Sequence, residues 1–331
     1  MSKLRIGIIG TGFIATWQAN GFRAQPDAVI AGFAGEKSRA SALAAEHGGR
    51  AYDSIERMLD DPAVDAVVVG SINPLHHAHV VAAVERHKPC LAEKPVAVDP
   101  AQLADIAARV RKHGTLVFPG HNFLYRPAVV AAKRLIDAGA LGTRVHASFV
   151  STHTISQAHA AGWRGRLAES GGGALMDSGH HQVYQALHLW GRPVAVQAFT
   201  ARRVLTGMEG EDLAQVALQY ADGSTATIVQ SWATGHGGRI DGISMLGTEG
   251  DVVIADKLYV RDQAQEGSTG YDASFAGQAR AFIDAVCGRS SPAMGLDGAA
   301  DTLALIRTAY QSAREGKVLP FPARALAAAG A

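Results

Sequence analysis

Leu4-Arg5-Ile6-Gly7-Ile8-Ile9 is a short apolar run that passes directly into Gly10-x-Gly12-x-x-Ala15 and then into a stretch of helical periodicity near residues 14–24. A strand that turns on glycine and opens a helix admits few folds. Gly10 and Gly12 permit a tight turn and the close approach of a diphosphate, and Ala15 lets the helix lie against the strand. The amide groups and dipole at the helix start attract the anion. A glycine-rich turn can be only a turn, but placed after the first strand of the chain this one predicts a dinucleotide site lined by Gly10, Gly12, Phe13 and Ile14.

The pattern continues to residue 119 as short apolar runs alternating with helical stretches, the grammar of a parallel sheet covered on both faces. Strands are expected at Leu4 to Ile9, Val29 to Ala34, Ala66 to Gly70, Pro89 to Ala92 and Thr115 to Pro119, with helices near 14–24, 38–47, 75–87 and 100–112. Asp99-Pro100 supplies an N-cap and a first-turn proline for the last of these. From Gly120 the grammar changes. A helix near 127–138 precedes strand-like runs at 144–152, 194–204, 212–220, 224–233, 241–247 and 251–255, several separated by tight-turn residues, which predicts a mostly antiparallel sheet. Helices near 172–190, 273–288 and 297–316 are available to cover one of its faces, and the Ala-rich tail from Ala323 is expected to fray. The expected fold class is therefore α/β: an N-terminal Rossmann domain with a doubly wound parallel sheet, residues 1–120, and a C-terminal α+β domain with a large open sheet, residues 121–331.

Lys and Arg number 31 against 30 Asp and Glu, so no excess of charge is present to hold a nucleic acid or an anionic membrane. Neither is expected as a partner. The two cysteines, Cys90 and Cys287, fall in segments that read as buried strand and helix, with no disulfide or zinc spacing. With no apolar leader and no run of about 18 apolar residues, a soluble, unprocessed, cytoplasmic protein is expected.

An NAD-binding domain of this kind usually ends its second strand in an acid that accepts from the adenine ribose. Here the strand ends Phe33-Ala34-Gly35-Glu36-Lys37-Ser38-Arg39. No aspartate stands at the strand end, and Ser38 and Arg39 can hold a 2′-phosphate, which tips the choice between NAD and NADP toward NADP. Glu36 can still serve a ribose. Glu93-Lys94-Pro95 closes the run from Pro89. A lysine at the carboxyl end of a parallel strand points into the ligand crevice, where proton or alkoxide chemistry is done.

With these residues in view, the chain resembles the Gfo/Idh/MocA oxidoreductase family. The resemblance covers nearly the whole length and rests on Gly10 to Ala15, Ser71-Ile72-Asn73-Pro74-Leu75-His76, Glu93-Lys94-Pro95, Gly171-Gly172-Gly173-Ala174-Leu175-Met176-Asp177-Ser178-Gly179-His180-His181 and Met245-Leu246-Gly247-Thr248-Glu249-Gly250. It implies that Lys94, Asp177 and His181 fall on the family's catalytic positions. Asn73, His76 and Glu93 fall on positions that usually line the cofactor. It also implies a homodimer or homotetramer built through the C-terminal sheet, and a cis bond before Pro95.

Asp177 and His181 are four residues apart, so a continuous helix from Gly173 to Leu189 would put them on one face. His181 could then take a hydroxyl proton, Asp177 orient it or bind a neighbouring hydroxyl, and Lys94 carry the developing charge. Adjacent residues on a helix point about 100° apart, so His180 is a lesser candidate for substrate contact. Tyr184 stands where many family members have an acid and could offer a phenol instead. Trp163 and Arg164 lie in a segment, 156–170, that reads as a loop and a candidate substrate wall. Asn122 and Tyr125 are candidate cleft residues. His76, His77 and His79 lack a carboxylate or cysteine at ligand spacing, so no metal site is expected.

The expected function is an NAD(P)-dependent oxidoreductase acting on a secondary alcohol or carbonyl of a sugar, sugar acid or cyclitol. The alternatives are an NAD-retaining glycosidase of the same superfamily and a non-catalytic dinucleotide-binding regulator.

Overall fold

Strand β1 (Leu4–Ile9) lies within a six-stranded parallel sheet, and its sequence explains the position: Ile6, Ile8 and Ile9 are all buried, as a strand covered on both faces requires. The computed structural model describes residues 3–234 and 240–324. It divides into two units, the first made of the residues up to Tyr125 together with Gly270–Ala299, the second of Arg126–Thr269 and the residues from Ala300 onward.

In the first unit β1 is followed by α1 (Phe13–Arg23), β2 (Ala28–Ala34), α2 (Lys37–His47), β3 (Arg50–Tyr52), α3 (Ile55–Asp60), β4 (Ala66–Val69), α4 (Asn73–Glu85), β5 (Cys90–Glu93), α5 (Pro100–His113) and β6 (Val117–Gly120). The order β3-β2-β1-β4-β5-β6 reverses between β1 and β4, which opens a crevice beyond the carboxyl ends of those strands. Every expected strand and helix of this half is present with ends moved by a residue or two. β3 and α3 were not expected, because a three-residue strand and a single short helix show too few repeats to set a period.

In the second unit a 3-10 turn at Asn122–Tyr125, which ends the first unit, leads into α6 (Pro127–Asp137), β7 (Arg144–Thr152), α7 (Gln157–Ala160), α8 (Leu167–Ser170), α9 (Ala174–Asp177), α10 (His180–Leu189), β8 (Ala195–Ala201), β9 (Leu213–Gln219), β10 (Thr225–Ser231), β11 (Ile240–Gly247), β12 (Asp251–Ile254), β13 (Leu258–Val260) and β14 (Gln263–Gln265). The chain finishes with α11 (Tyr271–Val286), α12 (Leu296–Glu315) and β15 (Leu319–Pro320). Nine strands pair in the order β14-β13-β12-β11-β7-β10-β9-β8-β15, antiparallel except where β7 meets β10. Along β9, Ala214, Val216 and Leu218 turn inward while Gln215, Ala217 and Gln219 face out, so one side of the sheet carries the core.

Four expectations need correction. The helix read at 273–288 does not cover the second sheet. As α11 it packs on α1 in the first unit, where Phe282 meets Phe22 and Phe118 edge to face. The strand read at 194–204 stops at Ala201, because the buried Asp212 carboxylate accepts the amide groups of Arg203, Val204 and Leu205 and draws that segment out of the ladder. The helix read at 172–190 is two helices, α9 and α10. Cys287 is exposed, just past the end of α11, whereas Cys90 is buried in β5. Among the described residues no helix is long and apolar enough to cross a membrane, and no group of three His, Cys, Asp or Glu side chains is placed to hold a metal ion. Residues 325–331 of the Ala-rich tail lie outside the described residues.

Candidate active site

The glycine turn after β1 has the features an anion cradle needs. Gly10 has φ of 103°, and a Cβ there would fall 2.4 Å from the Gly70 carbonyl oxygen, so the close packing of the β1 and β4 ends demands glycine. Gly12, the N-cap of α1, has an ordinary extended backbone, and a Cβ on it would meet nothing within 4 Å. Its glycine is therefore not required by the protein's own packing; it keeps space open in front of the helix start. α1 has no side-chain cap and no acid in its first turn, which suits a bound diphosphate. Phe13 is 76% exposed beside the turn, with its ring edge to Trp17. Gly12→Ala is expected to leave thermal stability unchanged while weakening NAD binding at least about tenfold; calorimetric titration beside a melting curve checks both.

At the end of β2, Glu36 caps α2. Its carboxylate accepts the Ser38 and Arg39 amides at 3.0 Å each and the Ser38 hydroxyl at 2.8 Å. The amide and hydroxyl of Ser38, with the Arg39 amide, hold this carboxyl below its ordinary range. Ser38 and Arg39 thus stand beside a fixed negative charge.

Across the β1/β4 crevice, Asn73 opens α4. It is buried, and its Nδ2 has no hydrogen-bond partner in the protein, the kind of orphan a ligand satisfies. His76, expected beside the cofactor, joins two turns of the backbone. It is fully buried, with Nδ1 2.7 Å from the Pro95 carbonyl and Nε2 2.8 Å from the Ser71 carbonyl. It ties the turn after β5 to the turn after β4. Burial lowers its pKa against the pull of the two carbonyls. Its neighbours are also engaged: His77 bonds Asp105 at 2.8 Å and His79 bonds the Ser71 hydroxyl at 2.9 Å.

Lys94 follows β5 on that tied turn, is half-buried, and is joined to Pro95 by the cis bond the resemblance implies. Glu93, the last residue of β5, is buried. One of its oxygens accepts the Gln18 side-chain amide at 2.6 Å and the other the Lys94 backbone amide at 3.2 Å. Burial raises the Glu93 pKa, countered by the Gln18 bond and the nearby lysine. Gln18 was not read from the sequence. The signal was available: a glutamine on the face of α1 that also carries Ala15, Ala19 and Phe22 must find a buried partner. Asn122 and Tyr125, the expected cleft residues, bond to the 270–299 segment. Asn122 donates to the Ser274 hydroxyl at 2.9 Å, while Tyr125 stacks on Phe118 and accepts the Ala293 amide at 3.1 Å.

In the second unit the segment expected as a loop at 156–170 forms three short helical turns. They bring Arg164 to Asp177, Nε to Oδ2 at 3.0 Å, with the Trp163 ring 4.3 Å from the guanidinium. The backbone between Asp177 and His181 departs from a regular helix. The Gly179 amide reaches back five residues to Ala174, and the His181 amide only three to Ser178. Trp232 donates its indole N–H to the Ser178 hydroxyl at 2.8 Å within this irregular turn. A four-residue spacing therefore does not by itself put Asp177 and His181 on one helical face. Tyr184 is fully buried with its hydroxyl 2.7 Å from His181 Nδ1, so it orients the imidazole. His180 is buried, its ring edge toward Tyr184. The start of α9 is met by Glu211 and Tyr310, two residues that no local pattern singled out.

Residues 4–121 match the model of an oxidoreductase family with an NAD-binding Rossmann fold, and residues 129–253 match the GFO/IDH/MocA C-terminal domain. The 1,5-anhydro-D-fructose reductase of Ensifer adhaerens is 28% identical over 252 residues, 75% of this chain and 75% of its own. An inositol 2-dehydrogenase of Acidothermus cellulolyticus is 28% identical over 336 residues, 97% of this chain and 96% of its own. The crystal structure of GenD2 from gentamicin A biosynthesis, in complex with NAD, superposes with a TM-score of 0.86 at 25% identity over 98% of this chain and 97% of its own. The strand-turn-helix of Gly10 to Ala15, the 3-2-1-4-5-6 sheet and the two matched domains together make this chain an NAD-binding oxidoreductase of the Gfo/Idh/MocA family.

Proposed function

We propose that the protein is a dehydrogenase that exchanges a hydride between NAD and a secondary alcohol or carbonyl of a sugar, sugar acid or cyclitol. The observation that carries this reading is Lys94, set beyond the carboxyl end of β5 on a turn fixed by Glu93 and His76. When bound, the nicotinamide accepts or supplies the hydride. Gly10, Gly12 and the start of α1 hold its diphosphate, and Asn73 offers its unpartnered amide. In oxidation His181, oriented by Tyr184, takes the hydroxyl proton; in reduction it returns it. The Lys94 ammonium stabilises negative charge on the reacting oxygen. Asp177, tied to Arg164, accepts from a neighbouring hydroxyl. The names of the reductase and dehydrogenase relatives support a polyol substrate.

The lean toward NADP drawn from Ser38 and Arg39 gives way to NAD, because the Glu36 carboxylate already sits on both residues and would repel a 2′-phosphate. The deciding experiment is a panel of sugars, sugar acids, cyclitols and their keto forms with NAD and with NADP, following absorbance of the reduced nicotinamide. At least one substrate is expected to turn over, with kcat/KM for NAD above that for NADP by about tenfold, or ~1.4 kcal/mol. Binding of NAD without turnover on any of them would leave the regulatory alternative. With a glycoside added to the panel, release of a free sugar with no net reduced cofactor would select the glycosidase. A preference for NADP would return Ser38 and Arg39 to the phosphate.

A further inference from the structure

Helix α9 is four residues long and carries Asp177 at its end, so nearly all of it is helix terminus. The first N–H groups of a helix have no partners within it. Here each is met by one of two residues distant in sequence. The Gly173 amide donates to Glu211 Oε2 at 3.1 Å and to the Tyr310 hydroxyl at 3.2 Å. The Ala174 amide donates to the Glu211 backbone carbonyl at 2.8 Å, the Leu175 amide to Glu211 Oε1 at 2.8 Å, and the Met176 amide to the Tyr310 hydroxyl at 3.2 Å. Tyr310 closes the set by donating its own proton to Glu211 Oε1 at 2.9 Å. Glu211 is buried and Tyr310 half-buried, where each such bond is stronger and each lost one more costly than at a surface.

The glycine run is explained by the same seat. A Cβ on Gly172 would fall 2.3 Å from the Tyr310 hydroxyl oxygen, and one on Gly173 would fall 2.1 Å from the Glu211 carbonyl oxygen. Only glycine lets the chain come close enough for its amides to reach these partners. From the seat the chain runs directly to Asp177, and through the irregular turn at Gly179 to His181.

We infer that Glu211 and Tyr310 are positioning residues for the reaction: they touch no reacting atom and fix the segment that aims Asp177 and His181. This rests on the proposed roles of those two residues. A carboxylate that gathers three donors and a phenol that accepts two amides while donating one proton form a closed network with a single geometry. Loss of the phenol oxygen releases the Met176 amide and one of the two bonds of Gly173, and leaves Glu211 short of a donor. Displacements of this kind far from the chemistry cost up to roughly 10²-fold in rate.

The test uses the full-length enzyme and the substrate that turns over best in the panel. Tyr310→Phe and Glu211→Gln are expected to lower kcat by roughly 10- to 10²-fold while the Kd for NAD stays within about twofold. Amide exchange over residues 170–179 is expected to quicken in both variants, with the rest of the chain unchanged. In an Asp177→Asn, His181→Asn double background Tyr310→Phe should cost less than about threefold, because both groups being aimed are already gone. The full loss persisting in that background, or an unchanged kcat in both variants, overturns the inference. If one variant fails to fold, the other carries the same cycle. A wild type silent on every substrate would sink the dehydrogenase reading instead. Exchange over 170–179 would still report on the two side chains, and unaltered protection would overturn their role in holding the segment.

Discussion

Alanine in place of Lys94 lowers kcat by roughly 10²- to 10⁴-fold, the range expected for losing a positioned proton-transfer or charge-stabilising group. The Kd for NAD changes little. The turn should survive the substitution, because Glu93 meets Lys94 through its backbone amide and His76 meets the Pro95 carbonyl, and neither bond uses the lysine side chain. Steady-state kinetics with calorimetric NAD binding separates the two effects. Lys94→Arg sharpens the result, since guanidinium keeps the charge but does not give up a proton near neutral pH. Recovery by arginine assigns Lys94 to charge stabilisation; failure to recover, with the fold intact, assigns it to proton transfer. Turnover of Lys94→Ala within a few-fold of the wild type removes it from the chemistry.

Gly173→Ala is expected to damage both the fold of the second unit and the rate. Its Cβ would stand 2.1 Å from the Glu211 carbonyl oxygen and 2.5 Å from the Glu211 nitrogen. Both are backbone atoms two residues before β9, so no rotamer change can make room. The backbone itself must move, at about 1–3 kcal/mol for overpacking of this kind. The movement would pull the Gly173, Ala174 and Leu175 amides off Glu211, so kcat should fall by roughly 10²-fold in whatever fraction stays folded. Thermal melting and kinetics on the same preparation check the pair of effects. An alanine variant with wild-type melting and turnover would show that the seat tolerates a shift and does not set the aim of Asp177. The contrast with Gly12→Ala is instructive, because there the glycine serves a ligand and here it serves the protein's own backbone.

The residues legible in the sequence are those whose surroundings are local. Gly10 to Ala15 could be read because strand, turn and helix are consecutive, and the α5 start could be read because Asp99 accepts the Ala101 amide two residues on. The residues and contacts not read are those whose partners are remote. Gln18 reaches Glu93 over 75 positions, and Tyr310 reaches Gly173 over 137. His76 lies in a recognisable motif, but that its two nitrogens face two backbone carbonyls is a property of two turns brought together by β4 and β5. Asn122 and Tyr125 look like cleft residues in a list of polar side chains. Their contacts with Ser274 and Ala293 come only from the return of the chain over residues 270–299.

What the sequence determined by itself is the alternation of strand and helix, the anion-binding turn and the residue types available for chemistry, since periodicity and glycine geometry act over a few residues. What the tertiary structure decided is which unit α11 completes, where the helix carrying Asp177 breaks, and that Glu211 and Tyr310 seat it. These depend on hydrogen bonds and close approaches between segments far apart in the chain, where a position's neighbours are set by the fold and not by its sequence.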